Sequence, residues 1–139
     1  MANLIKILAL FAVIFMLQAC DMTHDPIPVI DDNQAIIAPE DSHTFVERAG
    51  SIDDQSAFIQ FKGFEGSQTL LQFTGHDTRS ITVSQHVTEG RFMVVLIDPY
   101  DVVTLLRETT DIQLSQGVYR IKIVGEGASG TVSINIQHS

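Results

Sequence analysis

The chain has 139 residues, 45 % of them hydrophobic and 18 % charged, a composition compatible with one ordinary domain and a packed core. Its 17 acidic residues outnumber its 8 Lys and Arg residues, and no basic cluster offers the phosphate contacts that nucleic acid requires. We therefore expect no nucleic-acid partner. The lone cysteine, Cys20, cannot close an intramolecular disulfide, and no C-x-x-C spacing indicates a metal or redox site.

Residues 1–19 have the pattern of a cleaved secretory signal peptide. Lys6 precedes an unbroken apolar run over residues 7–17. As a helix these 11 residues would be about 17 Å long, well short of the ~30 Å hydrocarbon core of a bilayer. A charged start, a short apolar middle and a small residue before the break are typical of an export signal rather than of a transmembrane helix. We therefore expect the chain to be exported.

The apolar run ends in Leu17-Gln18-Ala19-Cys20, which resembles the lipobox of bacterial lipoproteins. The resemblance implies cleavage between Ala19 and Cys20, a diacylglycerol on the Cys20 thiol and a further acyl chain, such as palmitate, on the new amino terminus. Gln18 departs from the small or β-branched residue commonest there. Two or three acyl chains, at about 0.8 kcal/mol per buried CH₂, make a persistent anchor. The alternatives are a plain signal peptide with a chance cysteine, or a buried free thiol.

Asp21 follows the predicted lipidated cysteine. In enteric-type Gram-negative lipoproteins, an aspartate at this position is similar to the signal that retains the protein in the inner membrane, facing the periplasm. The resemblance therefore implies a lipid-anchored protein of the bacterial cell envelope, on the outer face of the cytoplasmic membrane, with the outer membrane as the alternative.

Residues 20–42 are expected to form the lipidated cysteine and a flexible, mostly extended tether. The segment contains three of the four prolines, Pro26, Pro28 and Pro39. Proline disfavours helix and central strand, although the PVI or AII residues would be able to pair at a sheet edge. The folded domain is then expected over residues 43–139.

From residue 43 onward the dominant hydrophobic period is two, which is typical of strands. GTVSINIQ places Val132, Ile134 and Ile136 on one face. GVYRIKIVG alternates in the same way, so Tyr119 is expected to face the core. The glycines of GEGASG between these runs predict an antiparallel hairpin that ends the domain.

Further short β-rich runs precede this predicted hairpin, and none of them has helical periodicity. ITVSQHV and RFMVVLID are separated by a predicted turn at Glu89-Gly90, whereas AFIQFKGF and SQTLLQFT predict two more strands. RFMVVLID is apolar on both faces, as a central strand would be, and stops at Asp98-Pro99. About eight strands at 8 to 12 residue spacing predict an all-β fold, a single antiparallel β-sandwich of jelly-roll type.

A second resemblance covers roughly the last 50 residues. A strand that ends in Asp98-Pro99, a Gly117-x-Tyr119 strand and a final Gly130 resemble the pattern of small bacterial lipoproteins and pre-peptidase C-terminal domains. Those domains are typically non-catalytic accessories. The resemblance therefore implies binding, spacing or structure, with no catalytic residues and no cofactor.

The chain lacks the usual signatures of catalytic and metal sites. His76 and His86 would be able to approach each other across adjacent strands beside Asp77, but no H-x-H or H-E-x-x-H spacing supports a zinc site or a general base. Asp98 and Asp101 of DPYD would offer oxygens to Ca²⁺, although a tight turn closed by Asp98 is favoured. No G-x-S-x-G or phosphate-binding loop is present. We expect no metal site and no enzyme activity.

Carbohydrate binding is the remaining chemical candidate, because β-sandwiches often present aromatic rings to sugars. The chain has no Trp and two Tyr. Tyr100 in the DPYD turn and Phe64 are the candidate exposed rings, with Asp98 and Asp101 as polar neighbours, and core packing or a turn is the alternative for each. We expect a membrane-anchored, non-enzymatic structural or interaction module with a protein or glycan partner. The alternative is a small-ligand or carbohydrate-binding module.

Overall fold

The computed structural model describes residues 26–138, which form a mostly β structure. A 3-10 turn at Val29–Asp31 and a short helix, α1, at Asn33–Ile37 precede seven strands. The strands are β1 (Ser42–Thr44), β2 (Glu47–Ile52), β3 (Ser56–Gly75), β4 (Thr78–Ile97), β5 (Val103–Leu106), β6 (Thr110–Gln113) and β7 (Gly117–His138).

The seven strands of the described residues belong to one open antiparallel sheet. Its order is β1-β3-β7-β4-β5, with β2 also pairing with β3 and β6 also pairing with β4. Strands β1 and β2 therefore share one edge, and β5 and β6 share the other. The predicted antiparallel all-β class is confirmed. The prediction of a central RFMVVLID strand is also confirmed, because residues 94–97 of β4 are buried and lie between β7 and β5.

The predicted C-terminal hairpin is wrong, because β7 runs through GEGASG as one strand of 22 residues. The predicted turn at Glu89-Gly90 is likewise an irregularity inside β4, and the two runs AFIQFKGF and SQTLLQFT join in β3. The three strands shift register at the same level, where Phe61 and Val87 both pair with Gly130. We call this level the bend row.

Glycines at the bend row adopt left-handed backbone conformations, which explains why the sequence resembles turns there. Gly90 has a φ of 73° and Gly127 a φ of 55°. A Cβ atom at Gly90 would lie 2.4 Å from the carbonyl oxygen of Gly127. Bulges and tight turns both use glycine at positive φ. Local composition alone therefore does not distinguish a bulge from a turn, and only the pairing with distant strands does.

The main hydrophobic core draws on both ends of the long strands. Ile59 and Ile134 lie on one side of the bend row, Ile121 and Ile123 lie on the other, and all four are fully buried in one cluster. Tyr119 belongs to the same cluster, as predicted, and its ring stacks on Phe73 with centroids 5.6 Å apart. The inward residues thus alternate along each strand as a two-residue period requires.

A smaller core lies on the opposite face of β4 and β7, beneath the segment before β1. Ile36 of α1 is 4 % exposed and packs with Val95, Ile97 and Val124. The Asp32 side chain caps α1 by accepting from the backbone N–H of Gln34. Residues 29–41, expected to be extended tether, therefore contain helical turns that pack on the sheet. The helix is too short to produce a recognisable helical period in the sequence.

Candidate functional site

The residues of the predicted lipidation site lie outside the described part of the chain. Ala19, Cys20 and Asp21 all precede residue 26, the first described residue. Among residues 26–138, no helix is both long and apolar enough to cross a membrane. The lipid anchor and its sorting residue therefore stay predictions from the sequence.

Three of the candidate ligand-binding residues share the connection between β4 and β5. The Asp98 carboxylate accepts hydrogen bonds from the backbone N–H groups of Tyr100 and Val102, at 2.8 and 2.9 Å. Asp101 has a φ of 62°, and its carboxylate lies 3.5 Å from the Arg120 guanidinium. Tyr100 is 80 % exposed. Asp98 thus closes a turn, and Tyr100 presents its ring to solvent without a second exposed ring beside it on this turn.

Phe64 is not an exposed ring. It is 0 % exposed and belongs to the main core. Its ring stacks on Phe45 at 4.7 Å and meets Phe61 edge to face at 6.0 Å. The core alternative therefore applies to Phe64, and this residue is not available to a sugar.

The histidine pair does not come together. His76 lies in the two-residue connection between β3 and β4, whereas His86 lies within β4, where it pairs with Thr131 of β7. At about 3.3 Å per residue, the intervening strand separates their backbones instead of placing them side by side. His138, in contrast, lies 3.0 Å from the Asp77 carboxylate. Within residues 26–138, no group of three or more His, Cys, Asp or Glu side chains is arranged to hold a metal ion.

Two basic residues of β7 bind the end of α1. The Arg120 guanidinium donates to the carbonyl oxygens of Ile37 and Ala38, at 2.8 and 3.0 Å. The Lys122 ammonium donates to the same Ala38 oxygen at 2.8 Å and lies 3.3 Å from the Asp41 carboxylate. The last carbonyls of a helix have no partner within the helix. Arg120 and Lys122 supply those partners and place positive charge at the negative end of the helix dipole.

Burial and ion pairing act on Lys122 in opposite directions. Its side chain is fully buried, and this loss of hydration lowers the pKa of Lys122, while the Asp41 carboxylate offsets part of the effect. Burial alone would raise the pKa of Asp41, but hydrogen bonds from Thr69 and Lys122 hold that pKa below its usual value. The Thr69 bonds measure 2.8 and 2.9 Å. Asp41 therefore ties the segment both to β3 and to β7.

A third basic residue, Arg91, binds the 3-10 turn. Its guanidinium donates to both carboxylate oxygens of Asp31, at 2.9 and 2.7 Å, and also pairs with Glu126. These hydrogen bonds lower the pKa of Asp31 and raise that of Arg91. A bidentate arginine–carboxylate pair fixes geometry as well as charge. Arg91, Arg120 and Lys122 thus hold one segment at three successive points.

Sequence reasoning did not identify this arrangement. The two-residue alternation predicted for GVYRIKIVG is correct, but it did not show that the strand face with Arg120 and Lys122 is covered. A usable signal was nevertheless present, because two cations two residues apart on one strand face oppose an acidic segment that includes Asp31 and Asp41. Without the pairing partner, the sequence cannot show that this face is covered.

The opposite end of the sheet presents an uncharged polar face, which we call the polar face. Cross-strand register places Ser51, Phe58, Ser133 and Ser84 in one row. The next row contains Ala49, Gln60, Thr131 and His86, and a third contains Ser56, Asn135 and Thr82. None of these eleven side chains belongs to Lys, Arg, Asp or Glu. Phe58 is 49 % exposed near the middle.

A shallow groove of about 540 Å³ adjoins the polar face at the bend row. The groove shares Ala49, Gln60, His86 and Thr131 with the polar face, and beyond the face it is lined by four charged residues, Glu47, Arg48, Lys62 and Glu89. On the polar face itself, hydroxyl, amide and imidazole groups surround the exposed Phe58 ring, and such groups suit a neutral polar ligand better than a charged one. The chain matches no protein-family model, and it matches no curated protein.

Proposed function

We propose that this chain is an extracytoplasmic bacterial lipoprotein, anchored through Cys20, whose folded domain is a non-enzymatic interaction module of the cell envelope. The observation that carries the proposal is Leu17-Gln18-Ala19-Cys20 at the end of a short apolar run that follows Lys6. A persistent lipid anchor needs no transmembrane helix. Asp21 favours the outer face of the cytoplasmic membrane in an enteric-type envelope.

Metabolic labelling with palmitate tests the anchor. Wild-type protein is expected to incorporate the label and to sediment with membranes, whereas Cys20→Ala is expected to lose the label and leave the membrane fraction or remain unprocessed. Met22→Ala, outside the predicted lipobox, is the matched control and should behave as wild type. Labelling of the Cys20→Ala variant at the wild-type level would contradict the proposal.

Five carboxylates of the described residues have structural roles, which supports a non-enzymatic domain. Asp98, Asp53 and Asp32 each accept backbone N–H groups of a turn or a helix start. Asp41 pairs with Lys122, and Asp31 pairs with Arg91. A hydrolytic site of the glycosidase type would need carboxylates free to meet a substrate within one cleft. The carboxylates named here hold the chain in place.

We also propose that the single sheet folds over at the bend row to form a β-sandwich. Gly75 at the end of β3 pairs with Gly117 at the start of β7, whereas Arg79 near the start of β4 pairs with His138 at the end of β7. If β7 were straight, Gly117 and His138 would be about 70 Å apart. Yet two residues join Gly75 to Thr78, a path of at most about 11 Å.

Such a short connection supports two layers, since packed sheets lie about 10 Å apart. Complete burial of Ile59, Ile121 and Ile134 supports the same arrangement, because the inner face must be covered. Nuclear Overhauser contacts between core methyl groups on the two sides of the bend row test it. Contacts confined to one side would contradict the sandwich.

A glycan-binding module is the second candidate function, and the polar face favours it. Phe58 offers a partly exposed ring between Ser51 and Ser133, with Gln60 and Asn135 close in the register. Sugars present hydroxyl groups and apolar C–H faces, which hydrogen-bonding side chains and an aromatic ring complement. The sequence-based candidate Tyr100 lies in the turn between β4 and β5 and is not part of the polar face.

Calorimetry with a neutral β-1,4-linked N-acetylglucosamine oligosaccharide separates the two candidates. If the polar face binds glycans, Phe58→Ala is expected to weaken binding about tenfold, which corresponds to about 1.4 kcal/mol. Tyr100→Ala removes an exposed ring elsewhere and is the matched control. Undetectable binding by the wild-type protein, or equal losses in both variants, would contradict a glycan site at Phe58.

A further inference from the structure

The segment before β1 is an integral part of the folded domain, and this limits the length of any tether. Ile36 lies in a cluster with Val95, Ile97 and Val124, where it is removed from water. Burial of this aliphatic side chain stabilises the packed position of the segment. We call residues 29–41 the clamped segment.

Polar contacts hold the clamped segment along its whole length. Arg91 binds its start at Asp31, Arg120 binds the end of α1, and Asp41 contacts both Thr69 and Lys122. Hydrogen bonds to charged groups stabilise more where they are shielded from water, as at Lys122, than in an exposed pair such as that of Arg91 with Asp31. Lys122 is fully buried beneath this segment. Release of the segment would therefore expose an apolar patch and break several charged contacts together.

From these contacts we infer that the lipid anchor is short and that the domain is held at the membrane surface with the rim around Pro26 facing the lipid. The inference rests on the proposed lipidation of Cys20. Nine residue steps separate Cys20 from Val29, the first residue of the clamped segment, and nine steps span about 30 Å at most. A free tether from Cys20 to residue 42 would span about 75 Å. The clamped segment thus removes most of the reach that the sequence suggested.

The point at which the chain enters the fold sets the orientation. Pro26 and Ile27 line a depression together with His43, Thr44 and Glu65. We call this depression the rim, and it lies where β1 pairs with the part of β3 next to the bend row. Asp54 lies in the turn between β2 and β3, at the end of β2 remote from the bend row. A short anchor brings the Thr44 side of the domain closer to the lipid than the Asp54 side.

Energy transfer in vesicles tests the orientation. Full-length lipidated protein is reconstituted in phosphatidylcholine vesicles that carry an acceptor lipid, with a donor on Thr44→Cys or Asp54→Cys. Lipidation consumes the Cys20 thiol, so each variant has one free cysteine. A matched pair carries an insertion of about 16 glycine and serine residues between Asp21 and Met22, a length that behaves as a flexible coil.

We expect the Thr44 donor to transfer more energy than the Asp54 donor, and we expect the insertion to lower transfer and remove most of that difference. Vesicle-bound protein with equal transfer from both positions, or transfer unchanged by the insertion, would overturn the short anchor while leaving lipidation intact. Protein that takes up no palmitate and does not bind vesicles would overturn lipidation itself, and the short anchor with it.

Discussion

The Lys122 ammonium donates to the Ala38 carbonyl oxygen at 2.8 Å from a side chain that is fully buried. The strand residue and the helix end are 84 positions apart in the chain. Desolvating an ammonium group is costly, and a buried ion pair is stabilising only when its hydrogen bonds are satisfied. The Ala38 carbonyl and the Asp41 carboxylate together meet that requirement. This relationship makes the segment before β1 sensitive to the loss of either partner.

Removing Asp41 should destabilise the protein more than removing Lys122. Asp41→Ala leaves the buried ammonium without its carboxylate and breaks both bonds to Thr69. We expect a loss of about 2–3 kcal/mol in the free energy of unfolding. Lys122→Met removes the buried charge while filling the space, so its cost should stay below about 1 kcal/mol. Urea denaturation measures both.

The neighbouring Glu40→Ala provides the control, because Glu40 is exposed and makes no side-chain hydrogen bond among residues 26–138. Its midpoint in urea should match that of the wild type. A larger loss in Lys122→Met than in Asp41→Ala would show that the lysine itself, rather than its desolvation, dominates this contact.

The buried lysine also predicts a gain of stability at alkaline pH. Burial lowers the pKa of Lys122 in the folded state, whereas in the unfolded chain it stays near 10.4. Between those two values the unfolded state binds more protons, so the free energy of unfolding rises with pH. Urea midpoints of the wild type should therefore rise, relative to Lys122→Met, as the pH approaches the unfolded-state value. If the urea midpoints of the two proteins change in parallel with pH, Lys122 is not the source of the gain in stability.

The sequence predicted the two-residue period, the antiparallel all-β class and the burial of Tyr119 correctly. It was wrong at positions where the local composition is compatible with two different backbone structures. Gly90 and Gly127 suit a hairpin turn as well as a bulge, and only the pairing of β4 with β7 excludes the turn. For Phe64 the alternative of core packing applies, because the residue lies at the centre of an aromatic cluster.

The clamped segment was beyond local reasoning for a different reason. Its helix has five residues, and its prolines lie at positions that permit helical turns to start and end. Burial of Ile36 depends on an apolar patch contributed by Val95, Ile97 and Val124, which are 59 or more residues away in the chain. Such a patch appears in the sequence only as a strand that is apolar on both faces. That observation correctly placed the strand, but it did not identify what covers it.

Two glycines of the bend row should respond differently to alanine. Both have positive φ, which costs a residue with a Cβ atom about 1–2 kcal/mol. At Gly127 the nearest atom to a new Cβ is a flexible Glu65 oxygen at 3.6 Å, whereas at Gly90 the Gly127 carbonyl oxygen lies at 2.4 Å. We expect Gly127→Ala to cost about 1 kcal/mol and Gly90→Ala about 3 kcal/mol or more.

Thermal and urea unfolding of the two glycine variants measure this difference. The comparison is controlled internally, because both substitutions add the same methyl group at the same level of the sheet. Equal losses would indicate that the strands separate freely at the bend row and that the close approach of β4 and β7 contributes little to stability.

Loss of Arg120 should release the end of α1 without unfolding the sheet. Arg120→Met removes the donors to the carbonyl oxygens of Ile37 and Ala38, while Lys122 still binds Ala38. Faster amide hydrogen exchange is therefore expected over residues 33–41, with unchanged protection in the centre of β7. Local opening of this kind exchanges at a lower free energy than global unfolding.

Arg107→Met, at an exposed arginine that makes no side-chain hydrogen bond within residues 26–138, is the control. Uniform acceleration across β3, β4 and β7 would mean instead that the segment and the sheet unfold as one unit, so that the clamped segment could not be released on its own.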